Sequence, residues 1–143
     1  MNHRERKRLS RLLVGAAGLG RPAETAAALR AGADPNGADR YGTTPLYAAS
    51  VHGATDVVLL LLGAGAAPDT ESGTGSEGTP LCAAACWGHT DTVRALLAHG
   101  ADADLREDHG TGHAPIDWAA RGPYPETVAA LLAAGADPPR TTG

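Results

Sequence analysis

Phenylalanine is missing from this 143-residue chain, and the other large side chains are scarce: one Met, two Trp and three Tyr. A core of interlocked aromatic rings is therefore excluded. Apolar residues still make up 43% of the chain, with Ala prominent among them and 19 Gly beside them. That composition suits thin helices packed closely together. No run approaches the ~18 apolar residues that mark a membrane-spanning helix. Only two cysteines occur, Cys82 and Cys86. Four residues apart, they form no disulfide framework, and i,i+4 positions on a helix are poorly placed to bridge. A reducing, cytoplasmic setting is expected. Lysine is nearly absent too: Lys7 is the one Lys among twelve basic residues. This arginine bias, with the Ala and Gly content, points to a GC-rich, bacterial type of genome.

Charge is unevenly shared. Residues 1–11 carry five basic side chains, Arg4, Arg6, Lys7, Arg8 and Arg11, against Glu5, a local +4. The rest of the chain carries seven basic against fifteen acidic residues, a local −8. An acidic body disfavours non-specific nucleic-acid binding. With 20% charged residues and a net charge of −4, wholesale disorder is not expected. The basic start followed by Leu12 to Gly20, with Gly15-Ala16-Ala17-Gly18 inside it, has the outline of a signal peptide. The same stretch fits the repeat register described next, and that reading is preferred. The run Arg4-Glu5-Arg6-Lys7-Arg8 is read as a solvated helical extension or disordered tail; an acidic partner or nucleic acid is the alternative.

A repeat of about 35 residues organises the chain. Thr44-Pro45-Leu46-Tyr47-Ala48-Ala49 returns as Thr79-Pro80-Leu81-Cys82-Ala83-Ala84, and again as Ala114-Pro115-Ile116-Asp117-Trp118-Ala119, the prolines 35 apart each time. Twenty residues after each proline comes Gly-Ala: Gly65-Ala66, Gly100-Ala101 and Gly135-Ala136. A fourth pair, Gly32-Ala33, marks an earlier unit in which Leu13 stands where the others have Leu46, Leu81 and Ile116. Thr before Pro supplies a capping oxygen, and Pro suits the first helical position. A short helix should follow, ending near Gly20, Gly53 and Gly88. A second helix carries Val57, Val58, Leu61 and Leu62, then Val93, Leu96 and Leu97, then Val128, Leu131 and Leu132. A polar, Gly-rich turn leads to the next unit.

Asp39-Arg40-Tyr41-Gly42-Thr43-Thr44-Pro45-Leu46 closely resembles the ankyrin-repeat stretch D-x-x-G-x-T-P-L, and Gly100-Ala101-Asp102 resembles that family's unit ending. The resemblance covers residues 9–139 and implies an all-α solenoid of stacked helix-turn-helix units joined by extended turns. The approximate units are 9–39, 40–74, 75–109 and 110–139, with a basic extension 1–8 and a tail 140–143. Several departures stand out. The family's His after Thr-Pro-Leu is Tyr47, Cys82 and Asp117 here, which puts in question the bond that His makes between turns. The turns from Gly65 to Pro80 and from Gly100 to Pro115 are two residues longer than that from Gly32 to Pro45. Gly122-Pro123-Tyr124-Pro125 stiffens the fourth unit. Glu24 and Thr25, replacing Val or Thr followed by Val, give the first unit a polar-faced cap.

Candidate chemistry is thin. Cys82, Cys86 and His89 suggest a metal, but zinc needs three or four converging ligands, and the register buries Cys82 while opening Cys86. Asp104, Glu107, Asp108, His109 and His113 share one long turn, where the acidic residues are read as solubilising. Asp69 to Gly78 lacks the calcium-loop spacing and the Gly-Lys-Ser/Thr of a phosphate loop, and is read as a flexible turn. No nucleophile elbow occurs. No catalytic residue, cofactor or metal is expected.

The resemblance implies partner docking on the concave side, made of turn tips and first helices. The matching positions are Arg40, Tyr41, Thr43, Val51, His52, Cys86, Trp87, His113 and Arg121, with Glu77 and His109 added by the longer turns. Tyr, Trp, Arg and His gather there, and such side chains anchor protein interfaces. Tyr41, His52, Trp87 and Arg121 are expected to follow one groove. A non-enzymatic, monomeric module binding another protein, without membrane or nucleic acid, is the function expected. A small-molecule- or metal-responsive regulator using Cys86, Trp87, His109 and His113 is the alternative.

Overall fold

The computed structural model describes residues 1–140, and its helices come in pairs. α1 (His3–Gly18) leads to α2 (Pro22–Arg30), and α3 (Pro45–Val51) to α4 (Thr55–Gly63). α5 (Pro80–Cys86) leads to α6 (Thr90–Ala98); after the four-residue α7 (Glu107–Gly110), α8 (Pro115–Arg121) leads to α9 (Pro125–Ala133). The first helices stack in the order α1, α3, α5, α8 and the second helices in the order α2, α4, α6, α9, giving two layers. Among the described residues no β-strand forms; one isolated bridge joins Ser72 to Gly78. No helix there is long and apolar enough to cross a membrane.

The residues that start and stop the helices act as their types dictate. Thr44 Oγ1 accepts from the Tyr47 N–H at 3.2 Å, and Thr79 Oγ1 from the Cys82 N–H at 3.1 Å. Ala114 has no side-chain acceptor. There Asp117 reaches back instead, its Oδ2 accepting from the Ala114 N–H at 3.0 Å. Gly20, Gly53 and Gly88 close the first three inner helices at φ +65°, +67° and +70°, the left-handed region that Gly enters without a Cβ clash. The fourth inner helix ends otherwise. Pro123 follows Gly122, which is extended at φ −94°, ψ 171°, as the residue before a proline prefers to be.

Register turns into burial. Leu13, Leu46, Leu81 and Ile116 are at most 2% exposed, and so are Leu61, Leu96 and Leu131 in the second layer. A side chain of that size contributes about 1.5–3 kcal/mol on full burial. The ends show what a neighbour supplies: Leu62 is 8% exposed, whereas Leu132, at the same register, is 43% exposed. In the first unit Glu24 is exposed. Thr25 is not part of that polar face. It is fully buried toward the stack, its hydroxyl donating to the Arg21 carbonyl at 2.8 Å.

Polar rungs that the repeat pattern did not foretell tie the pairs together. Asn36, Asp69 and Asp104, at one register, accept from the N–H groups of Ala67, Asp102 and Asp137 at 2.7, 3.0 and 2.9 Å. Thr55 pairs with Thr92 at 2.9 Å and Thr90 with Thr127 at 2.8 Å. The basic run occupies the first turns of α1, capped by Asn2 and with Arg8 paired to Glu5 at 2.6 Å. This exposed pair adds little stability. Of the expected tail, residues 141–143 lie outside the described residues.

Candidate functional site

The two longer turns build the site. In the first, the Ser72 N–H donates to the Gly78 carbonyl at 2.8 Å and the Glu77 N–H to the Ser72 carbonyl at 3.1 Å. The buried Ser72 Oγ accepts from the Thr44 N–H at 3.0 Å and donates to Glu77 Oε1 at 2.9 Å. Thr43 Oγ1 donates to the same carboxylate oxygen at 2.8 Å. The stretch expected to be a loose turn is thus a tied loop with a 3₁₀ turn, Gly73–Gly75, at its tip. In the second turn, the Glu107 N–H meets the His113 carbonyl at 3.1 Å and the Gly112 N–H the Glu107 carbonyl at 2.8 Å.

The turns lie against each other. The His109 N–H donates to Glu71 Oε1 at 2.9 Å. The Glu107 carboxylate packs on Gly78 so closely that a β-carbon there would collide with it. Gly78 also has φ +97°, so the backbone favours glycine, and a β-carbon would push the Glu107 carboxylate aside. Thr74, Asp108 and His109, the three non-glycine residues at positive φ among those described, all lie in these two turns. For β-branched Thr74 that conformation is strained.

Beneath the turns opens a cavity of about 300 Å³. Its walls carry the aromatic rings of Tyr47, Trp87 and Trp118, the carboxylates of Glu77, Glu107 and Asp108, and the thiols of Cys82 and Cys86. Trp118 is fixed on several sides. Its indole N–H donates to Glu107 Oε1 at 2.7 Å, His113 meets it edge-on at 5.0 Å, and the Arg121 guanidinium lies 5.6 Å from its ring centre. Burial raises the Glu107 carboxyl above the usual carboxylate range, with Asp108 and Glu71 adding repulsion and the Trp118 bond opposing them. Burial also pushes the Tyr47 hydroxyl up, helped by Glu77 and Glu107. Burial pushes the Cys82 thiol up to about 12 and raises that of Cys86.

Of the residues singled out in the sequence, Val51, Glu77, Cys86 and Trp87 meet in this cavity. His113 and Arg121 line a second one of about 160 Å³ with Asp117 and Arg140. Thr43 holds Glu77, and the His109 ring stands 3.5 Å from Glu71. Arg40 and Tyr41 form a pair of their own, hydrogen-bonded and with the guanidinium 4.7 Å from the ring centre. His52 is exposed at the end of α3. No single cavity joins Tyr41, His52, Trp87 and Arg121: Trp87 and Arg121 line different cavities, and Tyr41 and His52 line neither.

Sequence reasoning passed over Tyr47, Glu107, Asp108 and Trp118 as binding residues. Trp118 carried a usable signal, because it stands at the register of Ala48 and Ala83 and is far too large to pack like them. The role of the family's His is met in part by Cys82, whose Sγ lies 3.7 Å from the His113 carbonyl oxygen. His89 turns away from both cysteines, its Nε2 3.1 Å from the Val51 carbonyl oxygen. Among the described residues no group of three or more His, Cys, Asp or Glu is placed to hold a metal ion.

Comparison with known proteins agrees with this architecture. A family model described as ankyrin repeats, in three copies, matches residues 64–142, and one described as ankyrin repeat matches residues 41–72. No curated protein matches the chain. With paired helices in two layers, Thr-Pro helix starts and both matches on the same register, the chain belongs to the ankyrin-repeat family.

Proposed function

We propose that this protein is a non-enzymatic, monomeric module of the cytoplasm that binds a partner protein across the side made by its turns and inner helices. Ankyrin repeats are in general protein–protein interaction modules. The observation that carries the reading for this chain is the placement of its scarce aromatics. Tyr41 and Trp87 are 68% and 60% exposed on that side, with Arg40, Arg121 and the carboxylates of the cavity around them. Large amphipathic rings and arginines left in solvent are what interfaces use as anchors.

The test compares capture of partners by the wild type with capture by three variants. A protein held by the wild type and by Leu59→Ala, altered on the outer helix layer, but released by Trp87→Ala and Tyr41→Ala supports the reading. A partner lost with Leu59→Ala and kept by the other two would move the binding face to the outer layer.

A further inference from the structure

We infer that the cavity beneath the two long turns is a seat for one arginine side chain of the bound partner. This rests on the binding-face reading and deepens it by naming the chemistry the partner presents. The cavity holds three rings and three carboxylates, and no basic side chain lines it. Five Trp and Tyr residues occur in the chain, and Tyr47, Trp87 and Trp118 all converge here. At about 300 Å³ it lies at the small end of ligand-sized cavities, which suits one side chain rather than a helix or strand.

The molecule's own arginines show what this surface prefers. Among the described residues two cation–π pairs occur, Arg40 on Tyr41 and Arg121 on Trp118. Trp87 has no such partner, although it is the more exposed of the two tryptophans. The nearby basic side chains are engaged elsewhere. Arg106 donates to the Gly112 carbonyl and lies 3.8 Å from Asp117, His113 stands edge-on to Trp118, and His109 faces Glu71.

The charge pattern points the same way. Donors from the described residues reach Glu77 and Glu107 only at Oε1, so the second oxygen of each receives none. Burial raises Glu107, Tyr47 and Cys86, and neighbouring carboxylates add to each shift. A guanidinium answers each feature: it is planar, stacks on rings, forks onto carboxylates and sheds water more readily than an ammonium. A metal ion does not fit, because the aromatic walls offer it no ligands and the carboxylates do not converge.

The chain contains two tryptophans, so nitrogen-15 spectra of the full-length protein contain two indole N–H signals, both at the site. The probe is the capped tripeptide Gly-Arg-Gly, beside its citrulline and lysine counterparts. We expect saturable movement of both indole signals with the arginine peptide. Binding of the citrulline peptide should be weaker by about tenfold or more, and that of the lysine peptide intermediate. Glu107→Gln and Trp87→Ala, each checked for native signal dispersion, should each weaken the arginine peptide by about tenfold, with Trp118 as the reporter in the latter. Equal affinity for the citrulline peptide, or unmoved indole signals, overturns the arginine seat. If the peptide fails while Trp87→Ala still releases the partner, the seat is wrong and the binding face stands. If the peptide behaves as expected while partner capture ignores Trp87→Ala, the seat stands and the partner docks elsewhere.

Discussion

Cys82 and Cys86 lie one turn apart on α5, and their surroundings differ in almost every respect. Cys82 is 2% exposed, with its sulfur against the carbonyls of the following turn and its thiol pushed up to about 12 by burial. Cys86 is partly exposed and borders the cavity beside Trp87. Six of the seven residues of α5, Pro80 to Ala85, are buried, and only its last residue, Cys86, opens toward solvent. In a stack whose units bury apolar surface only against neighbours, stability rests on the buried body of this short element and the proposed recognition on its open C-terminal end. Mutations should pull them apart.

The largest effect should come from removing neighbours altogether. A fragment ending at Gly65 keeps α1 to α4 and loses the units that cover Val58 and Leu62. Two units are fewer than a stack usually needs. It should be largely unfolded, and a cooperative melt with full helical circular dichroism would break the comparison at its root. Next in size is Leu96→Ala. Leu96 is fully buried between layers, and the cavity left behind should cost about 2–5 kcal/mol in denaturant unfolding.

Thiol labelling sharpens the comparison on α5 itself. A neutral alkylating reagent should modify Cys86 first in the native protein and reach Cys82 only when the stack opens, because a thiol that is buried and protonated is inert. Equal rates would mean that the two thiol environments are not distinct.

A smaller effect is expected at Glu107. Its folded pKa lies above the ordinary value of 4.5, so the native state holds the proton more tightly than the unfolded chain. Its contribution is most favourable below about pH 4.5 and is lost as pH rises through the raised folded value. Glu107→Gln, which keeps an acceptor for Trp118, should melt at or slightly above the wild-type temperature at pH 7, with the gap closing in acid. A lower melting temperature at pH 7 would make Glu107 part of the stabilising frame rather than a group held there at a cost.

Much of the fold was legible because stacking imposes a strict register. Thr44 and Thr79 at helix starts, Gly53 and Gly88 at helix ends, and Leu46, Leu81 and Ile116 in the core follow from one spacing. The site was legible only in part, because it lies where the register is broken. The two extra residues in each long turn fold into excursions that use left-handed Thr74, Asp108 and His109, a conformation that β-branched Thr74 in particular does not advertise. That folding carries Glu107 onto Gly78 and under Trp118, a contact no periodic alignment brings into view. The fourth unit departs for a related reason: Pro123 changes the end of α8, and Gly122 stands where α5 has Trp87.

The most direct test is to measure the unfolding temperature and the partner affinity of Trp87→Ala on the same preparation. An exposed anchor removed from an interface centre typically costs about 2 kcal/mol or more, roughly a 30-fold loss of affinity, while a side chain outside the core changes stability by about 0.5 kcal/mol or less. The expected result is a wild-type melt with strongly weakened binding. A lowered melting temperature with unchanged affinity in the folded fraction would place Trp87 in the stack and contradict the division between the buried body of α5 and its open C-terminal end.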